Sequence, residues 1–256
     1  MKKYVRFLRD QSPFWGVVEG SQIRALTGAP YLGGQEDSFT ISLAEAELLA
    51  PCEPNKILCV GKNYYEHALE MQGGVPETPL LFIKPNTCVN HPGATVVRPR
   101  NCQALDYEGE LAFVVGKTAK RVPAGRADEY IFGYTILNDV TARDIQQADG
   151  QWTRGKCFDG FAPIGPYLTT GIDASDLPLT TRLNGVVKQS ARTSQMMWKV
   201  PKLLEFITEG ITLLPGDMVT TGTPAGIGPM GHGDTVEVEI EGLGVLSNPI
   251  AWEIRP

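Results

Sequence analysis

The sequence has few of the residues that build zinc sites or disulfide frameworks. Its 256 residues include five cysteines and three histidines. The cysteines are odd in number and form no C-x-x-C pair, and the opening residues, MKKYVRFLRDQ, contain no apolar stretch of the kind found in secretion signals. We therefore expect a cytoplasmic protein with reduced thiols. The histidines are scattered along the chain, which argues against a His/Cys zinc site, so oxygen atoms would supply most ligands of any metal.

Basic runs and long apolar runs are also absent. Lys and Arg number 23 against 29 Asp and Glu, which gives a formal net charge of −6. Nucleic acids and anionic membranes select basic patches, so we expect neither as a partner. The sequence has no run of about 18 apolar residues, so no segment is expected to span a membrane.

Glycine and proline are abundant and indicate a fold with many turns. The sequence has 28 Gly and 19 Pro, and short apolar runs alternate with segments rich in these residues. The pattern predicts a β-rich α+β protein in which helices are accessories. Short strands, followed by a capping-box pattern that opens a helix at residues 42–45, predict a small N-terminal domain over residues 1–52. The second domain is predicted to cover residues 53–256.

Several local signals predict individual elements of the larger domain. Asn63 and Thr141 each precede a helical pattern and are predicted N-caps. Pro201 near a first turn and Gly210 near a last turn bound a third helix. Asn184-Gly185, which lies between two strand-like runs, predicts a two-residue β-hairpin.

Residues 226–231 formally match the G-x-G-x-x-G pattern of dinucleotide-binding sites. Such a site requires a helix directly after the glycines, because the helix N-terminus holds the pyrophosphate. Here Pro229 and the strand-like run TVEVEIE follow instead. We interpret the segment as a glycine-rich loop and do not expect it to bind a nucleotide.

Three carboxylates are candidates for a metal site. Glu108 and Glu110 flank Gly109 at the start of a predicted strand, and side chains two residues apart on a strand share one face. Asp139 follows another apolar run, at a predicted strand end. Two solvated acids at an exposed strand end would explain the E-x-E pattern alone. With Asp139 nearby, the three form an oxygen-rich site suited to Mg²⁺, Mn²⁺ or Ca²⁺.

A histidine and several cations accompany these carboxylates. His67 and Glu70 lie three residues apart on a predicted helix and therefore share a face, where the carboxylate would raise the basicity of the imidazole. An incidental surface pair is the alternative. Arg143 and Lys156 follow Asp139 in the chain, and they are either solvated charges or ligands of an anionic substrate.

These pieces occur in an order that resembles a known family. The segments are VGKNYYEHALEM (60–71), PLLFIKP (79–85), DYEGELAFVVGK (106–117), GYTILNDVTARDIQ (133–146), QWTRGKCFDGFAPIGP (151–166) and TTGTPAGIGP (220–229). Together they resemble the fumarylacetoacetate hydrolase family, in particular its small bacterial and mitochondrial members, over roughly residues 55–256. The resemblance implies a mixed β-roll catalytic core, usually a homodimer, behind a small N-terminal β domain.

The resemblance also implies roles for nine residues. The metal ligands are Glu108, Glu110 and Asp139; the catalytic residues are His67, Glu70 and Lys156; the substrate-binding residues are Arg143, Gln146 and Thr223. Gly109 departs from the family, which commonly has a β-branched residue between the two glutamates. Cys157, after the lysine, replaces a frequent Gly or Ser.

The implied activity is divalent-metal-dependent chemistry on a small anionic 2-keto acid. We expect hydrolysis of the C–C bond of acylpyruvates through a metal-stabilised enolate, because the His67/Glu70 pair that would activate water is intact. Oxaloacetate decarboxylation, isomerisation of 2-hydroxyhepta-2,4-diene-1,7-dioate and decarboxylation of 5-oxopent-3-ene-1,2,5-tricarboxylate are alternatives at the same site. A non-catalytic, keto-acid-binding dimer is a further alternative. Residues 70–79 are predicted to form part of a lid that tunes specificity.

Overall fold

The computed structural model describes residues 1–71 and 74–253, and strands predominate within them. The strands are β1 Lys2–Arg9, β2 Ser12–Glu19, β3 Gln22–Leu26, β4 Glu36–Ser42, β5 Glu47–Leu49, β6 Lys56–Gly61, β7 Leu80–Pro85, β8 Val89–Asn90, β9 Val96–Arg98, β10 Leu105–Tyr107, β11 Gly109–Val115, β12 Ile131–Asn138, β13 Thr141–Ala142, β14 Ala162–Thr170, β15 Pro178–Leu183, β16 Val186–Arg192, β17 Met218–Thr220, β18 Gly228–Pro229, β19 Thr235–Ile240 and β20 Gly244–Trp252. The α-helices are α1 Tyr65–Glu70, α2 Arg143–Asp149, α3 Thr153–Lys156 and α4 Val200–Gly210. Short 3₁₀ helices cover Pro30–Leu32, Asn86–Cys88, Ala124–Glu129 and Thr193–Gln195. The predicted β-rich α+β class is confirmed.

The strands form three sheets. The largest runs in the order β4-β3-β2-β1-β14-β12-β11-β17-β6-β7, with β5 also paired to β1 and β8 to β14. A second sheet runs β13-β10-β18, and a third runs β16-β15-β19-β20-β9. Antiparallel pairs dominate, whereas β17 with β6, β14 with β8, and β20 with β9 are parallel.

The N-terminal strands extend the largest sheet. Strands β1 to β4 form an antiparallel meander, and β1 also pairs with β14, with Lys2 opposite Thr170. The helix predicted at residues 42–45 is wrong. Ser42 ends β4 opposite Gln22, and the N–H of Leu43 donates to the carbonyl of Ser21 (2.9 Å) beside the neighbouring strand. Residues 43–45 then form a single turn, with the N–H of Glu45 on the carbonyl of Ser42 (3.2 Å), and the chain continues into β5. The division into domains at residues 52 and 53 stays a prediction.

The central strand β11 is buried along its whole length. Leu111 and Phe113 pack into one hydrophobic cluster with helix α4, while Ala112 and Val114 pack into a second cluster on the opposite face. A strand with both faces covered needs apolar side chains at every position, which explains the unbroken run LAFVV. Strand β11 is therefore a fully buried support for Glu108, the residue directly before it.

Two predicted elements agree with the structure. Asn184 and Gly185 connect β15 to β16 with φ values of +52° and +77°, as a type I′ hairpin turn requires. Helix α4 has its proline in the first turn and ends at Gly210, and it buries Leu203 and Ile207. Among the described residues, none of the helices has the length and apolar character needed to cross a bilayer.

Candidate active site

Glu108, Glu110 and Asp139 meet where β11 begins and β12 ends. These strands are antiparallel neighbours, with Gly109 opposite Asn138, so the start of one lies beside the end of the other. The backbone N–H of Asp139 donates to the carbonyl of Glu108 (2.8 Å), which fixes the position of Asp139 relative to Glu108. Carboxylate oxygens of all three residues lie within 4.8 Å of one another, and all three are buried. The predicted convergence is present.

Three buried cations compensate this cluster. Lys156 Nζ lies 2.7 Å from Glu108 Oε2 and 2.6 Å from Asp139 Oδ2. Lys84 Nζ lies 2.5 Å from Asp139 Oδ1. Arg143 donates to Glu108 and to Asp106, with 2.8 Å between its Nε and the Asp106 oxygen. The charges of Glu108 and Asp139 are thus offset from several sides.

The two glutamates have different electrostatic environments. Burial would raise the pKa of Glu108, but the positive charges of Lys156 and Arg143 outweigh this effect and hold the pKa below its usual range. Burial raises the pKa of Glu110 well above its usual range, and the negative charges of Asp139 and Glu108 add to the shift. A hydrogen bond from the N–H of Gly222 (2.9 Å) brings Glu110 no full positive charge. Glu110 is the carboxylate whose charge is least compensated.

This donor set fits a hard divalent cation. Three carboxylate oxygens within 4.8 Å are the ligand type that Mg²⁺, Mn²⁺ and Ca²⁺ prefer. A cation among them would also offset the repulsion that raises the pKa of Glu110. Glu108, Glu110 and Asp139 could therefore hold such an ion.

His67 and Glu70 form the predicted pair. Nδ1 of His67 lies 3.0 Å from Oε2 of Glu70, and His67 is 4% exposed. The other ring nitrogen, Nε2, is thereby left to act on a ligand in the tautomer with hydrogen on Nδ1. Glu70 also accepts hydrogen bonds from the N–H of Gly226 (3.2 and 3.3 Å), which tie helix α1 to the glycine loop.

Asn63 does not cap helix α1, contrary to the sequence prediction. The N-cap residue is Tyr64, without a side-chain cap. The Asn63 amide instead donates to the carbonyls of Thr221 (2.7 Å) and Trp198 (3.0 Å) and accepts from the N–H of Trp198 (2.8 Å). The side chain is buried between distant segments, and these three bonds replace the helix cap. Asn63 fixes the end of β6 to the site.

Thr141 does not cap helix α2 either. The N-cap residue is Ala142, and the Thr141 hydroxyl donates to the carbonyl of Asp139 (2.9 Å). Helix α2 then places Arg143 and Gln146 one turn apart, and Nη1 of Arg143 donates to Oε1 of Gln146 (2.6 Å). The two predicted substrate ligands are therefore linked to each other.

Thr223 is oriented by a residue that the sequence interpretation missed. Its hydroxyl donates to the carbonyl of Gly109 (3.0 Å) and accepts from Nε2 of Gln189 (2.7 Å). Oε1 of the fully buried Gln189 accepts from the N–H of Gly109 (3.1 Å). A hydroxyl has one hydrogen, so in this conformation the Thr223 side chain has none left to donate to an anionic ligand, and the backbone N–H is its remaining donor.

These elements line a small cavity. Its lining residues are Val60, Gly61, Lys62, His67, Met71, Phe82, Glu108, Glu110, Asp139, Arg143, Gln146, Trp152, Lys156 and Thr223. Eight of the nine predicted site residues are among them, and the ninth, Glu70, binds His67. The structure brings the predicted residues together, while their individual roles stay predictions.

Several neighbours of the cavity were not predicted from the sequence. Lys84 contacts Asp139, Asp106 contacts Arg143, and Gln189 contacts Thr223. Lys84 lies in the segment PLLFIKP, which supports the family resemblance, but a lone lysine in an apolar strand gives no indication of its partner. Gln189 follows a hairpin far from the other motifs in sequence. Only the tertiary structure places these residues at the site.

The glycine loop lacks the geometry of a nucleotide site, as interpreted from the sequence. Gly228–Pro229 forms strand β18 and pairs with β10, so no helix follows the glycines. Tyr107 donates to the carbonyl of Gly226 (3.0 Å) and thereby helps to hold the loop over the site. Of the predicted lid over residues 70–79, Gln72 and Gly73 lie outside the described residues.

Comparisons with known proteins agree with this geometry. The family model "Fumarylacetoacetate (FAA) hydrolase C-terminal" matches residues 56–251, and the model "Rv2993c-like, N-terminal" matches residues 2–51. Oxaloacetate tautomerase YisK of Bacillus subtilis is 40% identical over 228 residues, covering 83% of this chain and 76% of that protein. The structure of 2-hydroxyhepta-2,4-diene-1,7-dioate isomerase from Mycobacterium marinum is 41% identical, with a TM-score of 0.92 and full coverage of both chains. Fumarylpyruvate hydrolase from Pseudomonas aeruginosa, solved with Mn²⁺ and pyruvate, is 32% identical with a TM-score of 0.74, covering 81% of this chain and 92% of that one.

Proposed function

The chain belongs to the fumarylacetoacetate hydrolase family, and from this premise we propose that it is a divalent-metal-dependent enzyme acting on short 2-keto acids. One observation supports the proposal most directly: three buried carboxylates converge on a cavity that also holds the His67 imidazole.

We propose Mg²⁺ or Mn²⁺ as the resident ion, with Ca²⁺ as a third candidate. Glu108, Glu110 and Asp139 would hold it. When bound, the ion supplies Lewis-acid stabilisation of negative charge on the 2-oxo oxygen of the substrate. The Mn²⁺ bound to the Pseudomonas fumarylpyruvate hydrolase supports this choice.

Side chains of this chain would stabilise charge, bind the substrate and transfer protons. Lys156, buried beside Glu108 and Asp139, would stabilise negative charge that develops on the substrate. Arg143, with Gln146 beside it, would bind the anionic substrate through guanidinium hydrogens. Thr223 would add its backbone N–H. His67, held by Glu70, would accept a proton through Nε2.

Hydrolysis of an acylpyruvate is the outcome that we favour. His67 would remove a proton from water as the oxygen attacks the distal carbonyl. The C–C bond between that carbonyl and C3 then breaks, the electron pair moves to C3, and a proton returns there. The products are pyruvate and a carboxylic acid. The buried His67–Glu70 pair supports this version, because water activation requires an oriented base.

Oxaloacetate chemistry is the second candidate. If no water is delivered, stabilisation of negative charge on the 2-oxo oxygen would instead promote keto–enol tautomerisation of oxaloacetate or its loss of CO₂. Similarity to the Bacillus oxaloacetate tautomerase supports this version. Isomerisation of 2-hydroxyhepta-2,4-diene-1,7-dioate needs a proton moved between carbons, and the similarity to the Mycobacterium marinum isomerase supports it.

A substrate panel tests the proposal. Acetylpyruvate, fumarylpyruvate, oxaloacetate and 2-hydroxyhepta-2,4-diene-1,7-dioate would be assayed with Mg²⁺, with Mn²⁺ and with chelator. Exchange of the C3 hydrogens of pyruvate with deuterium, followed by NMR, reports proton transfer whatever the later step. We expect metal-dependent exchange and turnover of at least one substrate. If neither occurs, the non-catalytic keto-acid-binding alternative takes first place.

Glu108→Ala tests the metal site itself. We expect this variant to lose Mn²⁺ binding and turnover together, because it removes one of three ligand carboxylates. Glu129→Ala is the matched control, since Glu129 forms an exposed pair with Arg126 and is not among the residues that line the cavity. Full activity in Glu108→Ala would disprove the metal assignment.

We also propose that the enzyme acts as a homodimer in the cytoplasm. Strand β7 is one end of the largest sheet, yet its Leu80 and Ile83 side chains are exposed. Edge strands with exposed apolar side chains invite pairing with another chain. Light scattering on the purified protein would give the mass, and a monomeric mass would disprove the dimer.

A further inference from the structure

Cys88 and Cys157 lie on two segments that run side by side. Cys88 ends the short 3₁₀ helix that follows β7, and Cys157 directly follows helix α3. The N–H of Gly160 donates to the carbonyl of Thr87 (3.2 Å), which joins the two segments close to both cysteines. Strands β8 and β14, which come next in the two segments, pair in parallel. Backbone hydrogen bonds therefore hold the two cysteines near each other.

The two thiols are neighbours with different exposure. Cys88 is fully buried in a hydrophobic cluster, and Cys157, which is half-buried, packs against the same cluster. The neighbouring thiol of Cys88 lowers the pKa of Cys157 to about 7, whereas the thiol of Cys157 raises the pKa of Cys88 well above its usual range. An accessible thiol with a lowered pKa beside a second thiol is typical of a peroxide-sensitive cysteine and its resolving partner.

Each thiol is also close in sequence to a lysine that holds Asp139. Lys84 lies four residues before Cys88, and its Nζ is 2.5 Å from Oδ1 of Asp139. Lys156 directly precedes Cys157, and its Nζ is 2.6 Å from Oδ2 of the same carboxylate. A bond between the two sulfurs would therefore join the two segments that grip the carboxylate cluster.

A disulfide would disturb the C-terminal end of helix α3. Sγ of Cys157 now donates to the carbonyl of Ile83 (3.4 Å), and a disulfide sulfur has no hydrogen, so this bond would be lost. Helix α3 has only four residues, and the N–H of Cys157 donates to the carbonyl of Thr153 in its first turn (2.9 Å). Movement of Cys157 toward Cys88 would therefore shift its neighbour Lys156 away from the carboxylates that it contacts.

We propose that hydrogen peroxide converts Cys88 and Cys157 to a disulfide, and that this modification reversibly lowers turnover by displacing Lys156. The thiolate of Cys157 attacks one peroxide oxygen; the O–O bond breaks, a sulfenic acid forms, and the departing hydroxide takes up the proton that Cys157 had released. The thiol of Cys88 then attacks the sulfenic sulfur, so the S–S bond forms, the S–O bond breaks and water leaves. The thiols lose two electrons, and one peroxide becomes two water molecules. The effect on turnover rests on the proposed function, whereas the disulfide does not.

Mass spectrometry of the peroxide-treated protein tests the disulfide. Reduced protein would be treated with hydrogen peroxide, blocked with iodoacetamide and digested without reductant. We expect two peptides linked through Cys88 and Cys157, which dithiothreitol separates. In Cys88→Ser the link cannot form, so dimedone should instead trap the sulfenic acid on Cys157. Absence of the linked peptides from the wild type would overturn the inference.

Turnover of the same samples, with Mg²⁺ added after removal of the peroxide, tests the effect on the site. We expect kcat for the best substrate of the panel to fall about tenfold or more and to recover with dithiothreitol, because an oriented positive charge is withdrawn from the reacting group. Cys157→Ser should resist peroxide. Cys102→Ser, which removes a buried thiol outside the pair, is the matched control and should stay as sensitive as the wild type.

Two outcomes separate this inference from the proposed function. Full turnover in protein that carries the Cys88–Cys157 link would overturn the proposed displacement of Lys156. If the link forms but the reduced protein turns over no substrate, the proposed reaction fails and the peroxide-sensitive thiol pair stands.

Discussion

Lys84 and Asp139 form a fully buried ion pair, with 2.5 Å between Nζ and Oδ1. Lys84 comes from the edge strand β7, whereas Asp139 follows the central strand β12. Lys156 binds the other oxygen of the same carboxylate at 2.6 Å. Asp139 is thus held between two lysines, which fixes its orientation toward Glu108 and Glu110.

Lys84→Met is expected to destabilise the metal-free protein. The substitution keeps most of the length of the side chain and removes its charge, which leaves Asp139 with one cation instead of two. Removing one partner of a buried pair costs about 3–5 kcal/mol, and we expect about 3 kcal/mol because Lys156 remains. Added Mn²⁺ should restore part of the loss, since the ion supplies positive charge to the same carboxylate. Urea unfolding with Mn²⁺ and with chelator measures both effects.

Lys202→Met provides the control for this experiment. Lys202 pairs with Glu205 on the surface of helix α4, and both side chains are largely exposed. Such a pair contributes less than about 1 kcal/mol. Equal costs for Lys202→Met and Lys84→Met would contradict a special role for the buried pair.

His67→Asn should separate catalysis from metal binding. The variant removes Nε2 as a base, so we expect kcat to fall by about 10²- to 10⁴-fold. Mn²⁺ affinity should stay within about threefold of the wild type, a change below 1 kcal/mol, because the three carboxylates are intact. Calorimetry and steady-state kinetics on the same preparations would show whether kcat falls while the affinity for Mn²⁺ is retained. Loss of Mn²⁺ binding comparable to that of Glu108→Ala would place His67 among the ligands instead.

The sequence contains the information for the carboxylate cluster but not for the contacts around it. Strand periodicity places Glu108 and Glu110 on one face, and antiparallel pairing of the two apolar runs brings Asp139 to them. Both patterns can be recognised in short stretches of sequence, and each allows few alternative arrangements of the side chains. Lys84 and Gln189, in contrast, reach the site from strands that pair only in the complete fold, and no local pattern reports which buried acceptor each one meets.

The errors in helix boundaries have a related cause. Asn63, Thr141 and Ser42 are residue types that cap helices when no better partner is available. In the folded chain, Asn63 binds Thr221 and Trp198, Thr141 binds the carbonyl of Asp139, and Ser42 lies in a strand. The competing partner is remote in sequence for Asn63, two residues away for Thr141, and a strand pairing for Ser42, and a capping pattern does not indicate such competition.

Gly109→Ala should be destabilising although Gly109 has an ordinary strand position. A Cβ at Gly109 would lie 2.3 Å from Oγ1 of Thr181 and 2.9 Å from a methyl carbon of Val238. Side chains from β15 and β19 therefore fill the space that a β-branched residue would need. We expect a loss of about 1–3 kcal/mol in the free energy of unfolding, as for overpacked cores. Urea unfolding measures it.

A double variant shows whether crowding causes that loss. Thr181→Ala removes the nearest atom, so Gly109→Ala combined with it should cost less than the sum of the two single changes. Gly125→Ala is the control, because a Cβ there meets nothing within 4 Å. If Gly109→Ala costs no more than Gly125→Ala, crowding at this position is disproved.

The thiol of Cys157 should react with alkylating agents at neutral pH. Cys157 is half-buried, and the other four cysteines are buried. The neighbouring thiol of Cys88 lowers the pKa of Cys157 to about 7 against the opposing effect of burial, and the charges of Lys84 and Lys156 lower it further. A lowered pKa means that the thiolate forms at lower pH. Iodoacetamide labelling should therefore rise between pH 6 and 8 and then level off, whereas an ordinary thiol, with a pKa of about 8.5, continues to rise.

Substitutions at Cys88 test the cause of this reactivity. Cys88→Ala removes the neighbouring thiol, so the labelling profile of Cys157 should shift to higher pH, while Cys88→Ser keeps a polar hydrogen there and should shift it less. Mass spectrometry of the peptide containing Cys157, after timed labelling at pH 6, 7, 8 and 9, gives the three profiles. Because Lys84 and Lys156 are unchanged in both variants, a profile that Cys88→Ala leaves in place would assign the lowered pKa to the two lysines.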